Sequence, residues 1–142
     1  MYTYKYPRPA LTADIALFNL DSTQVMLIRR GNEPFKDCWA FPGGFFDMTD
    51  RDIEHTATRE LEEETGLKDI ALTERFVASR EGRDPRGRTV SVIFTASIDP
   101  AKVQPRGADD AAETRWFPID QLPPLAFDHS EVLERLLREQ PY

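Results

Sequence analysis

Three glutamates, Glu60, Glu63 and Glu64, stand at i, i+3 and i+4 in the run Arg59-Glu60-Leu61-Glu62-Glu63-Glu64-Thr65-Gly66. On a helix turning about 100° per residue, that spacing gathers the three carboxylates on one side. Like charges so placed destabilise a helix, and acids in its C-terminal turns oppose the macrodipole. A bound divalent cation would offset both effects, and hard oxygen ligands suit Mg²⁺ or Mn²⁺. Ile53, Ala57 and Leu61 make an apolar stripe at i, i+4 and i+8 that borders the carboxylates. The acids are therefore expected at the edge of a core, with Arg51, His55 and Glu62 turned to solvent.

Such a helix needs elements that bring a ligand to it. Pro42-Gly43-Gly44 permits positive φ and close backbone approach, which a loop requires if its carbonyl or amide is to touch a metal or a phosphate. Cys38 to Phe41 is expected as a short strand leading into that loop. Thr49 or Asp50 is expected to cap the helix, Thr49 with Asp52 resembling a capping box, and Gly66 to close it. Leu11 to Phe18 reads as a strand with both faces covered. Gln24 to Arg30 reads as a second strand whose Arg29-Arg30 end is either solvated or anion-binding.

Strands are expected again over Ile70 to Arg80 and Arg88 to Ile98. Between them the loop Glu81 to Arg88 holds Arg83, Arg86 and Arg88, each either exposed or ligand-binding. Pro100 to Asp110 is a loop and Glu113 to Phe117 a short strand. A final helix, capped by Asp128 or Ser130 with Glu131 placed to close a box with Asp128, carries Val132, Leu133, Leu136 and Leu137 on its apolar stripe. Many strands with one helix in the middle and one at the end make an α+β pattern.

Composition narrows the function. The 142 residues fit a single domain, 1–142. A net charge of −7 argues against nucleic-acid binding, which needs a basic footprint, so a phosphate ligand would be met locally by arginines or metal. Cys38, the sole cysteine, allows no intrachain disulfide and agrees with a reducing cytoplasm; beside Trp39 and Phe41 it is expected as a buried structural thiol. No stretch nears the ~18 apolar residues of a membrane span, and the N-terminus has no signal-peptide run. In the extended, aromatic Tyr2 to Pro9, Tyr4 and Tyr6 either stack on a base or pack as an edge segment on the sheet or a partner subunit.

Arg59 to Leu67 resembles the second half of the Nudix hydrolase signature, R-E-U-x-E-E-x-G-U with U aliphatic, at every fixed position. YPRPALTADIALF, LIRRGNEPFKDCWAFPGGF, RDPRGRTVSVIF and RWFPIDQLPPLAFDH resemble the ADP-ribose pyrophosphatase-like branch of that superfamily, so the similarity spans most of the chain. One departure is the spacing from Gly44 to Arg59, a residue longer than the signature. Asp50 then stands in for its first glutamate, with Asp47 and Asp52 behind it.

The resemblance implies an α/β/α sandwich with a mixed sheet between helices. It implies Mg²⁺- or Mn²⁺-dependent hydrolysis of a nucleoside diphosphate linked to a second group, with ADP-ribose giving AMP and ribose 5-phosphate as the leading case. The alternatives are a pyrophosphohydrolase of (d)NTPs or oxidised nucleotides and a non-catalytic sensor of a nucleotide derivative. Relatives that regulate transcription add a winged helix, for which no room is expected before Tyr142. By resemblance Glu60, Glu63, Glu64 and the Gly44 carbonyl hold metal, and Arg59 positions the glutamates. A further acid comes from Asp109, Asp110 or Glu113, and either Glu60 or that loop acid serves as general base. Arg30, Arg83, Arg86 and Arg88 would clamp phosphates beside Gly43 and Gly44, and Tyr6 or Phe35 would stack on adenine. A homodimer is expected on the same ground.

Overall fold

Residues 3–102 and 111–139 are described in the computed structural model. The strands are β1 Ala10–Phe18, β2 Gln24–Arg30, β3 Trp39–Ala40, β4 Gly43–Phe45, β5 Thr73–Ala78, β6 Thr89–Ser97 and β7 Ala111–Pro118; the helices are α1 Ile53–Thr65 and α2 His129–Arg138. Alternation in β1 sends Ala13, Ile15 and Leu17 to one face and Ala16 and Phe18 to the other, all buried. A strand apolar on both faces belongs inside a sheet covered on each side.

That is the position of β1. The sheet runs β3-β2-β1-β6-β5, with β4 also pairing β1 and β7 pairing β2. Among the described strands only β1 and β6 pair in parallel, from Ala10 opposite Thr89 to Phe18 opposite Ser97, so the sheet is mixed. Helix α1 covers one face, where Ala57 and Leu61 meet Ala13, Ile15, Leu17, Met26 and Phe94. Helix α2 covers the other, where Val132, Leu133 and Leu136 meet Phe18, Val25, Leu27 and Trp39. The result is the expected α/β/α sandwich. No helix among the described residues is long and apolar enough to cross a membrane.

Helix α1 holds although its acids crowd. Burying Leu61 contributes roughly 1.5–3 kcal/mol, whereas a like-charge i, i+4 pair costs roughly 0.2–0.5 kcal/mol. Gly66, at φ 79°, closes the helix by donating its N–H to the Glu62 carbonyl over 2.8 Å. The start differs from expectation. Asp52 is the N-cap, accepting the His55 N–H at 2.7 Å, because the carboxylate of Asp50 is engaged elsewhere.

Three other expectations change. Gly43–Phe45 is a strand rather than loop, Gly43 opposite Asp14 and Gly44 opposite Ala13, and lies so close to β1 that a Cβ on Gly43 would meet the Ala13 carbonyl at 2.2 Å. The imperfect alternation at Glu74-Arg75 marks a bulge, with Glu74 opposite Phe94 and Phe76 opposite Ile93, and β5 is shorter than Ile70 to Arg80. Cys38, just before β3, is only half-buried.

Candidate active site

The β1 face that buries Ala16 and Phe18 under α2 carries Thr12 and Asp14 nearer its N-terminal end. There the apolar core gives way to a cavity of about 580 Å³, lined from β1 by Thr12 and Asp14, from the β4 region by Gly43 to Met48, and from α1 by Arg59, Glu60 and Glu64. Arg30, Arg83, Asp84, Arg86, Ser91, Phe127 and His129 also line it.

Arg59 is the hub of the acidic side. Its Nε and Nη2 each donate to Asp50 at 2.8 Å, its Nη1 to Glu60 Oε1 at 2.7 Å and to Glu63 Oε2 at 3.3 Å, and its Nη2 also to the Phe45 carbonyl. Asp50, buried, also accepts from the Thr56 hydroxyl and the Asp47 N–H. The Arg59 fork first, then these further donors, hold its carboxyl well below the usual range, against burial. Asp50, read from the sequence as the stand-in for the signature's first glutamate, is thus bound to Arg59.

Glu60 and Glu64 meet at the β4 glycines. Burial first raises both carboxyls, Glu64 well above the ordinary range, and the charge of Glu60 raises Glu64 further. The Gly43 N–H points to Glu64 Oε2 at 3.4 Å. The Glu60 carboxylate fills the space a side chain on Gly44 would need, since a Cβ there would lie 2.4 Å from its Cδ. Glu63 does not join them: its side chain is 55% exposed and pairs with Arg59. Accordingly no three Asp, Glu, His or Cys side chains among the described residues converge into a cage. The set still fits Mg²⁺ or Mn²⁺. A divalent ion would offset the charge of the two carboxylates, and Mg²⁺ is commonly bound by one or two carboxylates plus waters and substrate phosphates.

The cavity floor is a buried polar network that the sequence did not reveal. Arg83 donates Nε and Nη2 to the two oxygens of Asp128, at 2.9 and 2.8 Å, and Nη1 to Ser91 Oγ at 2.6 Å; Ser91 Oγ also contacts Thr12 Oγ1. Arg83 lines the cavity, but its fork is committed, so it is a structural anchor rather than the expected phosphate clamp. For the same reason Asp128, at the N-cap position of α2, makes no side-chain capping bond. Burial first pushes Asp14 up to about 6, against the pull of Arg83 and of a hydrogen bond from Ser91. His129 accepts the Phe41 N–H on Nδ1 at 3.1 Å, so its ring hydrogen sits on Nε2, 3.8 Å from Asp14 Oδ2. Burial depresses His129 to about 3, so the ring is neutral and this contact is not an ion pair.

The remaining candidates divide. Arg30 lines the cavity, gives Nε to the Pro34 carbonyl at 2.7 Å and lies 4.9 Å over the Phe127 ring. Burial first, then the charge of Arg86, lowers its pKa. Arg86 lines the cavity with its Nε and Nη2 bound to Asp84 at 3.1 and 2.8 Å. Phe35 stands one ring behind, edge-on to Phe127 at 5.0 Å. Three candidates fall elsewhere. Tyr6 is 69% exposed with Lys5 over its ring, Arg88 is exposed near Glu81 at 3.9 Å, and Glu113 on β7 pairs with Arg115 and Arg29. Asp109 and Asp110 lie outside the described residues.

Known proteins resemble this chain in sequence and fold. Residues 8–136 match the model of the NUDIX domain. The chain is 36% identical over 133 residues to the ADP-ribose pyrophosphatase of Methanocaldococcus jannaschii, covering 94% of this chain and 76% of that protein. It is also 36% identical over 135 residues to the ADPR responsive transcriptional repressor NtrR of Acinetobacter baylyi, covering 92% of this chain and 54% of the repressor. Among solved structures, the NUDIX domain of Shewanella oneidensis NrtR complexed with ADP ribose superposes with a TM-score of 0.87 at 30% identity, covering 99% of this chain and 94% of that one.

Proposed function

The chain belongs to the NUDIX family, and from that premise we propose that it hydrolyses the pyrophosphate bond of ADP-ribose to AMP and ribose 5-phosphate, using Mg²⁺ or Mn²⁺. The observation that carries this reading is the Glu60–Glu64 carboxylate pair set against Gly43-Gly44 at the edge of a cavity large enough for a nucleotide. The ADP-ribose pyrophosphatase relative and the ADP-ribose-bound structural neighbour support the substrate.

Glu60 and Glu64 would hold the metal, with the Gly44 carbonyl beside them. When bound, the ion neutralises pyrophosphate charge and makes a coordinated water a better nucleophile. Asp50 fixes Arg59, and Arg59 fixes Glu60, so the carboxylate is aimed before substrate arrives. Glu63 shares Arg59 and is assigned to the same centre through that contact. Arg30, which lines the same cavity, would meet the phosphates. Of the acids named for the water's proton, Glu60 lines the cavity and Glu113 is turned to arginines, so the role is assigned to Glu60. The cytoplasmic homodimer implied by sequence and family stays part of this reading, and light scattering reads its mass.

A second reading is a sensor that binds ADP-ribose without turnover, favoured by the similarity to the NtrR repressor. A panel of ADP-ribose, NADH, diadenosine polyphosphates and (d)NTPs, each with Mg²⁺ and Mn²⁺, separates the possibilities. Fastest turnover of ADP-ribose supports the proposal; turnover confined to (d)NTPs, or none with ADP-ribose bound, moves the function to an alternative.

A further inference from the structure

His129, the first residue of α2, lines the cavity and is buried, yet it belongs to none of the groups assigned to metal or phosphate. Its contacts lead to the β4 glycines. Residues 39–41, which carry the chain into Gly43-Gly44, are strapped to residues 124–129 by three hydrogen bonds. The Trp39 N–H donates to the Pro124 carbonyl at 3.0 Å, the Ala126 N–H to the Trp39 carbonyl at 2.8 Å, and the Phe41 N–H to His129 Nδ1 at 3.1 Å. The first two join backbone to backbone. The third, nearest the glycines, depends on a side chain.

Imidazole suits this place. A buried backbone N–H needs an acceptor, and a neutral ring accepts on one nitrogen while the other carries hydrogen. The Phe41 ring stacks on it, with centres 4.8 Å apart and planes 26° from parallel, which fixes its tilt. Nε2 lies 3.8 Å from Asp14 Oδ2, and Asp14 is the residue opposite Gly43 in the β1–β4 register. His129 thus bonds the chain two residues before Gly43 and faces the residue across from it. Beyond that point the fit is close. The Gly43 N–H points to Glu64 Oε2 at 3.4 Å, and the Glu60 carboxylate fills the space beside Gly44. A displacement of Phe41 therefore passes through Pro42 to both carboxylates.

We propose that His129 is a positioning residue of the metal centre: its Nδ1 holds the Phe41 amide and thereby sets the Gly43-Gly44 backbone against Glu60 and Glu64. This rests on the reading of that carboxylate pair as the metal site. His129 itself touches neither metal nor substrate in this role, and acts through the backbone of residues 41–44.

The test compares His129→Asn with His129→Gln in the full chain. Asn carries its amide oxygen at the position of Nδ1 and Gln at that of Nε2, so Asn keeps the acceptor for Phe41 and Gln loses it. Mn²⁺ binding is read without substrate, from the paramagnetic resonance signal of the free ion, beside thermal melts and turnover of ADP-ribose at limiting metal. His129→Gln should bind Mn²⁺ roughly 10–100-fold more weakly, with His129→Asn close to wild type. Wild-type affinity in His129→Gln, even with a lower melting temperature, overturns the proposal, because a packing role alone would leave metal binding untouched. Equal weakening in both variants, or no Mn²⁺ binding by wild type, also overturns it.

A measurement on wild type keeps the proposal open to refutation if His129→Gln fails to fold. Added Mg²⁺ should shift the Phe41 amide and His129 Nδ1 resonances in nitrogen NMR, and unshifted resonances would contradict the coupling. Because metal binding is read without substrate, the two readings fail separately. A chain that shows the expected order of Mn²⁺ affinities but leaves ADP-ribose intact loses the hydrolase reading and keeps this one. Equal turnover of ADP-ribose by wild type and both variants at limiting metal does the reverse.

Discussion

Arg59 and Asp50 face each other fork to fork, Nε to Oδ1 and Nη2 to Oδ2, both at 2.8 Å, across a turn one residue longer than the family signature. The pair turns an aspartate into the anchor of the arginine that aims Glu60. Asp50→Asn keeps the shape and removes the charge. It is expected to lower turnover roughly 10–100-fold, with a fall in melting temperature that Asp52→Asn, at the exposed cap, shows to a smaller degree. Equal activity in wild type and Asp50→Asn would refute this role.

The same pair sets an acid limit. The folded-state pKa of Asp50 is depressed, so its stabilisation is full above the unfolded value of about 3.9 and is lost as pH falls below it. Glu64 works in the other direction. Its folded pKa is raised, so without metal the fold is most stable below the ordinary glutamate value of about 4.3 and loses that advantage as pH climbs through the raised one. Thermal melts from pH 4 to 8 should therefore show a decline toward neutral pH that added Mg²⁺ or Mn²⁺ reverses. In Glu64→Gln both the decline and the metal response should shrink.

The two glycines of β4 should separate fold from chemistry. A Cβ on Gly43 meets backbone, the Ala13 carbonyl at 2.2 Å, whereas one on Gly44 meets only the end of the Glu60 side chain at 2.4 Å. Gly43→Ala should destabilise the protein with little that can yield. Gly44→Ala should fold, and lose roughly ten-fold or more in activity through a displaced carboxylate. Circular dichroism melts beside rate measurements distinguish the two, and the reverse pattern would contradict the packing described.

Arg83 and Asp128 are both buried, their side chains 4% and 9% exposed. Removing one partner strands a charge, so Arg83→Ala or Asp128→Ala should cost about 3–5 kcal/mol. Chemical denaturation measures this directly. Were Arg83 a phosphate clamp, the substitution would raise KM and leave stability untouched.

The helix half of the site was legible because its chemistry is local. Ile53 to Gly66 places stripe, carboxylates and terminating glycine on one helix, and spacing alone orders them. The floor was not legible, because it is made by long-range pairing: Arg83 finds Asp128 across 45 residues and Phe41 finds His129 across 88. Asp128 read as a helix cap since nothing nearby announces its real partner. Asp14 did leave a signal, an acid in a strand read as covered on both faces, and a buried acid needs a reason. Strand β4 was hidden because Gly43 and Gly44 offer no side chains to alternate. Glu63 shared the spacing of its neighbours, yet its ion pair with Arg59 draws it to the surface.

Hydrolysis of ADP-ribose by wild type and by Glu64→Gln, with products separated and quantified, tests the central claim most directly. Wild type with Mg²⁺ or Mn²⁺ should release AMP and ribose 5-phosphate in equal amounts, chelation should stop it, and Glu64→Gln should be slower by on the order of 10³-fold. ADP-ribose recovered intact with either metal, or a Glu64→Gln rate equal to wild type, would contradict it.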